Sequence, residues 1–116
     1  MNPDLSALVA EDDDGLAGFV GCGASRDPDA PESAGEIHTL FVAEGRWRGG
    51  VGHALMTAAL ADLRERGYAE ATVWSFAANE RANAFYEAEG FNRDGSERTE
   101  ATWAHIPEVR YRRPLP

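Results

Sequence analysis

The sequence predicts an α/β domain of the α+β kind, a central mixed, mostly antiparallel sheet with flanking helices. Three observations carry that expectation. The N-terminal part reads as a hairpin followed by a third strand, two strands are each followed by helix-forming sequence closed by a glycine, and the C-terminal stretch returns to strand-forming residues. Hairpins combined with strand–helix–strand crossovers give the order β-β-β-α-β-α-β-β. The chain has 116 residues, and a single domain spanning 1–116 around one modest core is expected.

Each element has its own warrant. Residues around Ser6 to Ala10 are apolar and strand-like, EDDDG is an acidic turn, and Leu16 to Ala24 is a second strand rich in small residues. Arg26 to Gly35 carries two prolines and no periodicity, and reads as a loop. In EIHTLFV, Glu36 to Val42, alternation puts Glu36, His38, Leu40 and Val42 on one face and Ile37, Thr39 and Phe41 on the other. From about Val51 to Arg66 the chain is helical: Leu55, Ala59 and Leu63 recur every fourth residue, and Gly67 stops the helix. Ala71 to Ser75 is a strand, and a second helix runs from about Glu80 to Glu89, closed by Gly90. The remainder, from Phe91, is read as a strand pair split by the polar run NRDGSERTE, with the last strand at Glu108 to Arg113.

Composition narrows the function. A net charge of −9 argues against a nucleic-acid partner, which needs a basic footprint, and suits a cationic small substrate such as an amine. No apolar run approaches a membrane span, and MNPDLSALVAEDDD lacks the basic start of a secretory leader, so no membrane partner and a cytoplasmic setting are expected. The one cysteine, Cys22, forms no internal disulfide and no metal site by itself, and reads as a small strand residue. The acidic tracts Asp12 to Asp14 and Asp27 to Glu32 read as solvated loops.

The chemistry concentrates in RWRGGVGHAL, Arg46 to Leu55, where three of four successive positions are glycine at the mouth of a helix. The first turn of a helix has N–H groups without internal partners and carries partial positive charge. Bare backbone there lets an anion come close, which makes a site for a phosphate or pyrophosphate, with Arg46 and Arg48 beside it. The alternative is a tight turn that needs glycine for its own geometry. A nucleotide P-loop fails, because His53 and Ala54 stand where lysine and Ser or Thr are needed. A dinucleotide fingerprint is weak, because Leu55 occupies the slot of its third glycine.

LFVAEGRWRGGVGHAL resembles motif A of the GNAT superfamily of N-acetyltransferases, Q/R-x-x-G-x-G/A, with Trp47, Arg48, Gly49, Gly50, Val51 and Gly52 in the six slots. NERANAFYEAEGF, Asn79 to Phe91, resembles the family's motif B, and the order and spacing of the two also fit. Trp47 stands in the Q/R slot, and Glu44 where a proline is common. The resemblance implies the GNAT fold without the strand and two helices that usually precede the first hairpin, helices that help wall the acceptor pocket. It implies acetyl-CoA as co-substrate, no metal, and an amine acceptor. The pyrophosphate would lie against the loop from Trp47 to His53, and the pantetheine arm along Leu40, Phe41 and Val42, with Asn79, Ala82, Phe85 and Tyr86 opposite.

Within that resemblance Tyr86 matches the tyrosine that gives a proton to the leaving sulfur, and a main-chain N–H of Leu40 or Phe41 would polarise the carbonyl. Glu36 matches the glutamate that serves as base in some members, and His38 or water are alternatives. The bland readings stand beside these: a helix aromatic for Tyr86, a helix cap for Asn79, a strand-entry acid for Glu36. The expected function is direct acetyl transfer to a primary amine of a small molecule or peptide. The alternative is an acyl-CoA-binding module acting in regulation, or a homodimeric interaction domain whose bare sheet face is covered by a second copy.

Overall fold

A computed structural model describes residues 5–45 and 49–116. The elements follow the order read from the sequence: strands β1 (Leu5–Asp12), β2 (Gly15–Ala24) and β3 (Ala34–Val42), helix α1 (Val51–Glu65), strand β4 (Glu70–Phe76), helix α2 (Glu80–Ala88), and strands β5 (Asn92–Arg98) and β6 (Glu108–Pro114). The six strands form one sheet in the order β1-β2-β3-β4-β6-β5. Among the described residues only β3 and β4 pair in parallel, joined by the crossover through α1.

The core lies between the sheet and the helices. Leu55, Met56, Ala59, Leu60 and Leu63 of α1 are buried against Val20 and Cys22 of β2, Ile37 of β3, and Ala71 and Val73 of β4. The four-residue repeat in α1 is thus the buried stripe of an amphipathic helix. Phe91, Val109, Tyr111 and Tyr86 extend the core toward α2.

Two local expectations are corrected. The strict alternation in β3 fails at His38. β2 pairs Gly21 with Thr39 and Cys22 with Ile37, which leaves His38 as the extra residue of a β-bulge. One inserted residue shifts the parity, so Ile37 and Leu40 both meet the core while Thr39 and Phe41 share the opposite face with Glu36. The polar run after Phe91, read as a break between two strands, is itself the edge strand β5, irregularly paired with β6 between Arg93 and Glu97. Its partners are ionic rather than apolar, which removed the usual strand signal.

Ionic contacts also overturn the reading of Asp27 to Glu32 as a merely solvated loop. Arg110, on β6, is 5% exposed and lies on the face away from α1. Its Nη1 donates to Asp27 at 3.1 Å, Nη1 and Nη2 donate to Asp29 at 3.0 and 3.1 Å, and Nε donates to Asp94 at 2.6 Å. Trp74 Nε1 adds a 2.9 Å bond to Asp27. Burial alone would raise the Asp94 carboxyl, but the Ser96 N–H and the Arg110 guanidinium outweigh it and hold its pKa below the carboxylate norm. Arg110 therefore clamps the β2–β3 loop across the far face of the sheet.

Two outcomes follow. Arg110→Met removes the cation that Asp27 and Asp94 share and leaves them only Arg98 at 3.6 Å and Arg112 at 3.2 Å, and urea unfolding should show a loss of about 3 kcal/mol with an unchanged slope. Cys22 is fully buried, and burial, with Asp62 next to it, pushes its thiol up to about 11. At pH 8 a disulfide reagent should leave the native thiol unmodified over the time in which it titrates one thiol in denaturant.

Candidate active site

The site forms where the sheet comes apart. β3 and β4 pair only from Ala34 to Ile37 against Glu70 to Val73. Beyond that, β4 stays paired with β6 as far as Phe76, and β3 stays paired with β2 as far as Val42. The distal halves of the two parallel strands are therefore not bridged to each other, and the backbone edge of Leu40 to Val42 faces a seam. On the helix side this seam opens into a cleft of about 750 Å³.

Helix α1 points its N-terminus into the cleft. Gly50 is its N-cap, with φ of +84°, a conformation that favours glycine, and among the described residues no side-chain cap bond is made there. That leaves N–H groups of the first turn open to a ligand. Gly52 has a different reason to be glycine: a Cβ there would lie 3.2 Å from the Phe85 ring and 3.5 Å from Val42. The two glycines thus separate two jobs, one conformational and one of close approach.

Helix α2 forms the opposite wall. Asn79 caps it, its Oδ1 accepting the Ala82 N–H at 3.1 Å, and Asn79 also lines the cleft. Buried Asn83 accepts the Ser75 hydroxyl at 2.7 Å and donates to the Ala77 carbonyl at 3.1 Å, which ties α2 to the end of β4. Tyr86 is wedged among Phe85, Tyr111 and Phe91, with ring centroids 5.6, 5.9 and 6.1 Å away. Burial raises its phenol pKa, so it stays protonated through the neutral and mildly alkaline range.

Leu40, Phe41, Val42, Gly50, Gly52, His53, Asn79, Ala82, Phe85 and Tyr86 all line this one cleft. Val51 instead packs its side chain against the core, and Gly49 sits in the exposed turn before α1. Trp47 and Arg48, and Arg46 before them, lie outside the described residues. Arg81, Ala84 and Glu89 complete the lining and were not singled out from the sequence. Glu89 reaches across to His53 Nδ1 at 2.8 Å, joining the C-terminal end of α2 to the first turn of α1. The helical spacing of Arg81, Ala82, Phe85 and Glu89 was the signal that could have found them.

Glu36 and His38 stand apart from the cleft lining, on the bulged part of β3. The buried Glu36 carboxylate accepts the Ser25 hydroxyl at 3.2 Å and the Arg26 N–H at 2.9 Å. His38 Nε2 donates to the Ala24 carbonyl at 3.0 Å, and burial holds its pKa below the histidine norm despite Glu36 nearby. Among the described residues there is no cluster able to hold a metal ion, and no helix long and apolar enough to cross a membrane.

A seam in a mixed sheet, a glycine-capped helix aimed at it and a tyrosine across from it share one cleft. The acetyltransferase (GNAT) family model matches residues 1–91, and the chain belongs to that family. Mycothiol acetyltransferase from Beutenbergia cavernae is 38% identical over 91 residues, covering 78% of this chain and 29% of that protein. The chain thus spans less than a third of that curated relative. Among solved structures, nourseothricin acetyltransferase is similar with a TM-score of 0.84 and 30% identity, over 99% of this chain and 68% of that one. An aminoglycoside 6'-N-acetyltransferase complexed with coenzyme A shares the fold at a TM-score of 0.79 and 21% identity, over 100% of this chain and 76% of that one.

The burial of His38 sets a pH dependence. Its folded pKa lies below its unfolded one, so its contribution to stability is present above about pH 6.5 and is lost as pH falls through the folded value. Melts of the wild type and of His38→Gln, which keeps an N–H for Ala24, should run parallel above pH 7. Below about pH 6.5 the wild type should lose stability more steeply.

Proposed function

We propose that this chain is an acetyl-CoA-dependent N-acetyltransferase that acetylates a primary amine of a small molecule or peptide by direct transfer in a ternary complex. One observation carries the reading: a single cleft runs from the uncapped N-terminus of α1 to Tyr86 along the unpaired edge of β3. The residues fit the co-substrate. Among the described residues, nothing beyond its chain neighbours lies within 4 Å of where a Cβ at Gly50 would stand, so an anion meets backbone there.

Acetyl-CoA supplies the acetyl group as an activated thioester. The first-turn amides of α1 bind its pyrophosphate, and the edge of Leu40 to Val42 pairs with its pantetheine arm. A main-chain N–H of Leu40 or Phe41 stabilises the charge that develops on the carbonyl oxygen. The amine reaches the seam from the face opposite the helices, where Glu36, or His38 through water, takes its proton. As the C–N bond forms and the C–S bond breaks, Tyr86 gives its hydroxyl proton to the departing sulfur. Its raised pKa suits that task, because the phenol remains an acid at the pH where amines are nucleophilic. The products are an amide and the free thiol.

Two measurements test the reading in order. Calorimetric titration with acetyl-CoA should show saturable one-site binding that Gly50→Glu abolishes, since the added carboxylate occupies the anion berth. Absence of wild-type binding at millimolar co-substrate would overturn the proposal. With an accepted amine in hand, Tyr86→Phe should lower kcat by about 100-fold with the acetyl-CoA affinity retained. A binding module would have no turnover to lose.

A further inference from the structure

The seam between β3 and β4 has two faces, and the second carries aromatic side chains on both of its arms. On one arm Phe19 and Phe41 stack with ring centroids 5.4 Å apart, 37% and 44% exposed. Phe41 also contributes to the lining of the cleft, so this pair is continuous with the site on the other side. On the other arm Phe76, the last apolar residue of β4, meets the Trp103 ring edge-on at 5.8 Å. Trp103 and Ile106, in the β5–β6 connection, are 50% and 46% exposed. Parity puts all of β4's contribution on this face: Val73 joins the core and Ser75 bonds α2, so Trp74 and Phe76 point away from the helices.

Large apolar groups left in water on both sides of one opening mark a recognition surface. The remaining aromatic on this face, Trp74, is already covered by the Arg98 guanidinium 4.1 Å above its ring. The exposed apolar groups border the seam on both arms, and on the Phe19 side they continue onto the β1–β2 hairpin, where Val9, the cross-strand partner of Phe19, is 57% exposed and Leu16 49%. A second copy of the chain is a poor occupant. The net charge is −9, and Glu11 to Asp14 crown the same hairpin that carries Phe19, so two copies meeting there would bring like charges together.

We infer that the two aromatic pairs set acceptor specificity, and that the acceptor is an amine carried on an aryl or branched apolar arm. The inference rests on the proposed acetyl transfer and goes further by giving the amine its chemical class. The arm lies against Phe41 and Phe19 or against Trp103 and Ile106, and the amino group enters the seam between them.

The test uses the 116-residue chain with acetyl-CoA and three amines, 2-phenylethylamine, ethylamine and spermidine, read by release of free thiol. kcat/KM for 2-phenylethylamine should exceed that for ethylamine by about 30-fold or more. The double variant Phe19→Ala/Trp103→Ala should reduce that ratio to below about threefold, with acetyl-CoA affinity and melting temperature unchanged. Both residues are exposed, so the fold should survive. Equal rates for the two amines, a preference for spermidine, or a preference that persists in the double variant would overturn the inference. If no amine turns over, calorimetry of 2-phenylethylamine into the complex with coenzyme A separates the two readings. Binding that the double variant loses supports the aromatic surface while acetyl transfer falls, and no binding sinks the surface as well. A dimeric mass in sedimentation that Phe19→Ala reverts to monomer would assign the face to a second copy and overturn the inference.

Discussion

Four parallel residue pairs hold the two halves of the sheet together, Ala34 to Ile37 against Glu70 to Val73. The rest of the molecule follows from how short that junction is. Were it longer, the edge of Leu40 to Val42 would be consumed by strand pairing, and no cleft would exist. Were it shorter, the β1–β2–β3 hairpins would lose their hold on β4 and β6. Helix α1 spans the junction from the core side, with Ile37 and Val73 beneath its buried stripe. The bulge at His38 falls just past the last parallel pair. Bulges add twist and bend a strand, which is what leading β3 away from β4 requires.

On the opposite face the same junction is covered by charge rather than by apolar packing. The β2–β3 loop is fixed at its start by Glu36, through Ser25 and Arg26, and at its middle by Arg110, through Asp27 and Asp29. Arg110 and Asp27 are buried deeply enough that the cation needs its anion. The loop's acids thus join Asp94 of β5 in neutralising a cation that the sheet buries. One face of the sheet is ordered by area and the other by pairing, and the seam opens between the two regimes.

Much of this was legible in the sequence because it depends on local rules. The spacing of Leu55, Ala59 and Leu63, the stop at Gly67 and the Asn79 cap are short-range signals, and each is found in the expected place. Ten of the thirteen residues that line the cleft were legible through two motifs, one on each wall. What escaped depends on partners distant in the chain. A bulge is a property of two strands, and nothing in EIHTLFV announces that β2 skips His38. β5 carries no apolar alternation because Arg98, Asp94 and Arg93 find Glu108, Arg110 and Tyr111 on the neighbouring strand. Arg110 and Asp27 are 83 residues apart, beyond the reach of any periodicity. Arg81 and Glu89 sit on a helix face that could be read, but which face meets the cleft is decided by Tyr86 and Asn83 packing on β4 and β6.

That 83-residue separation orders the events of folding. The loop after β2 leaves the ribosome well before its anchor, Arg110, which is made 83 residues after Asp27. Tyr111, next to it, is the ring against which Tyr86 rests. During synthesis, then, the glycine-capped end of α1 and both its neighbouring strands can assemble while the far face is still undocked and Tyr86 still lacks its backing. The nascent chain thus acquires the open helix end before the packing behind Tyr86, and β6 supplies the partner of the loop and the backing of the tyrosine together.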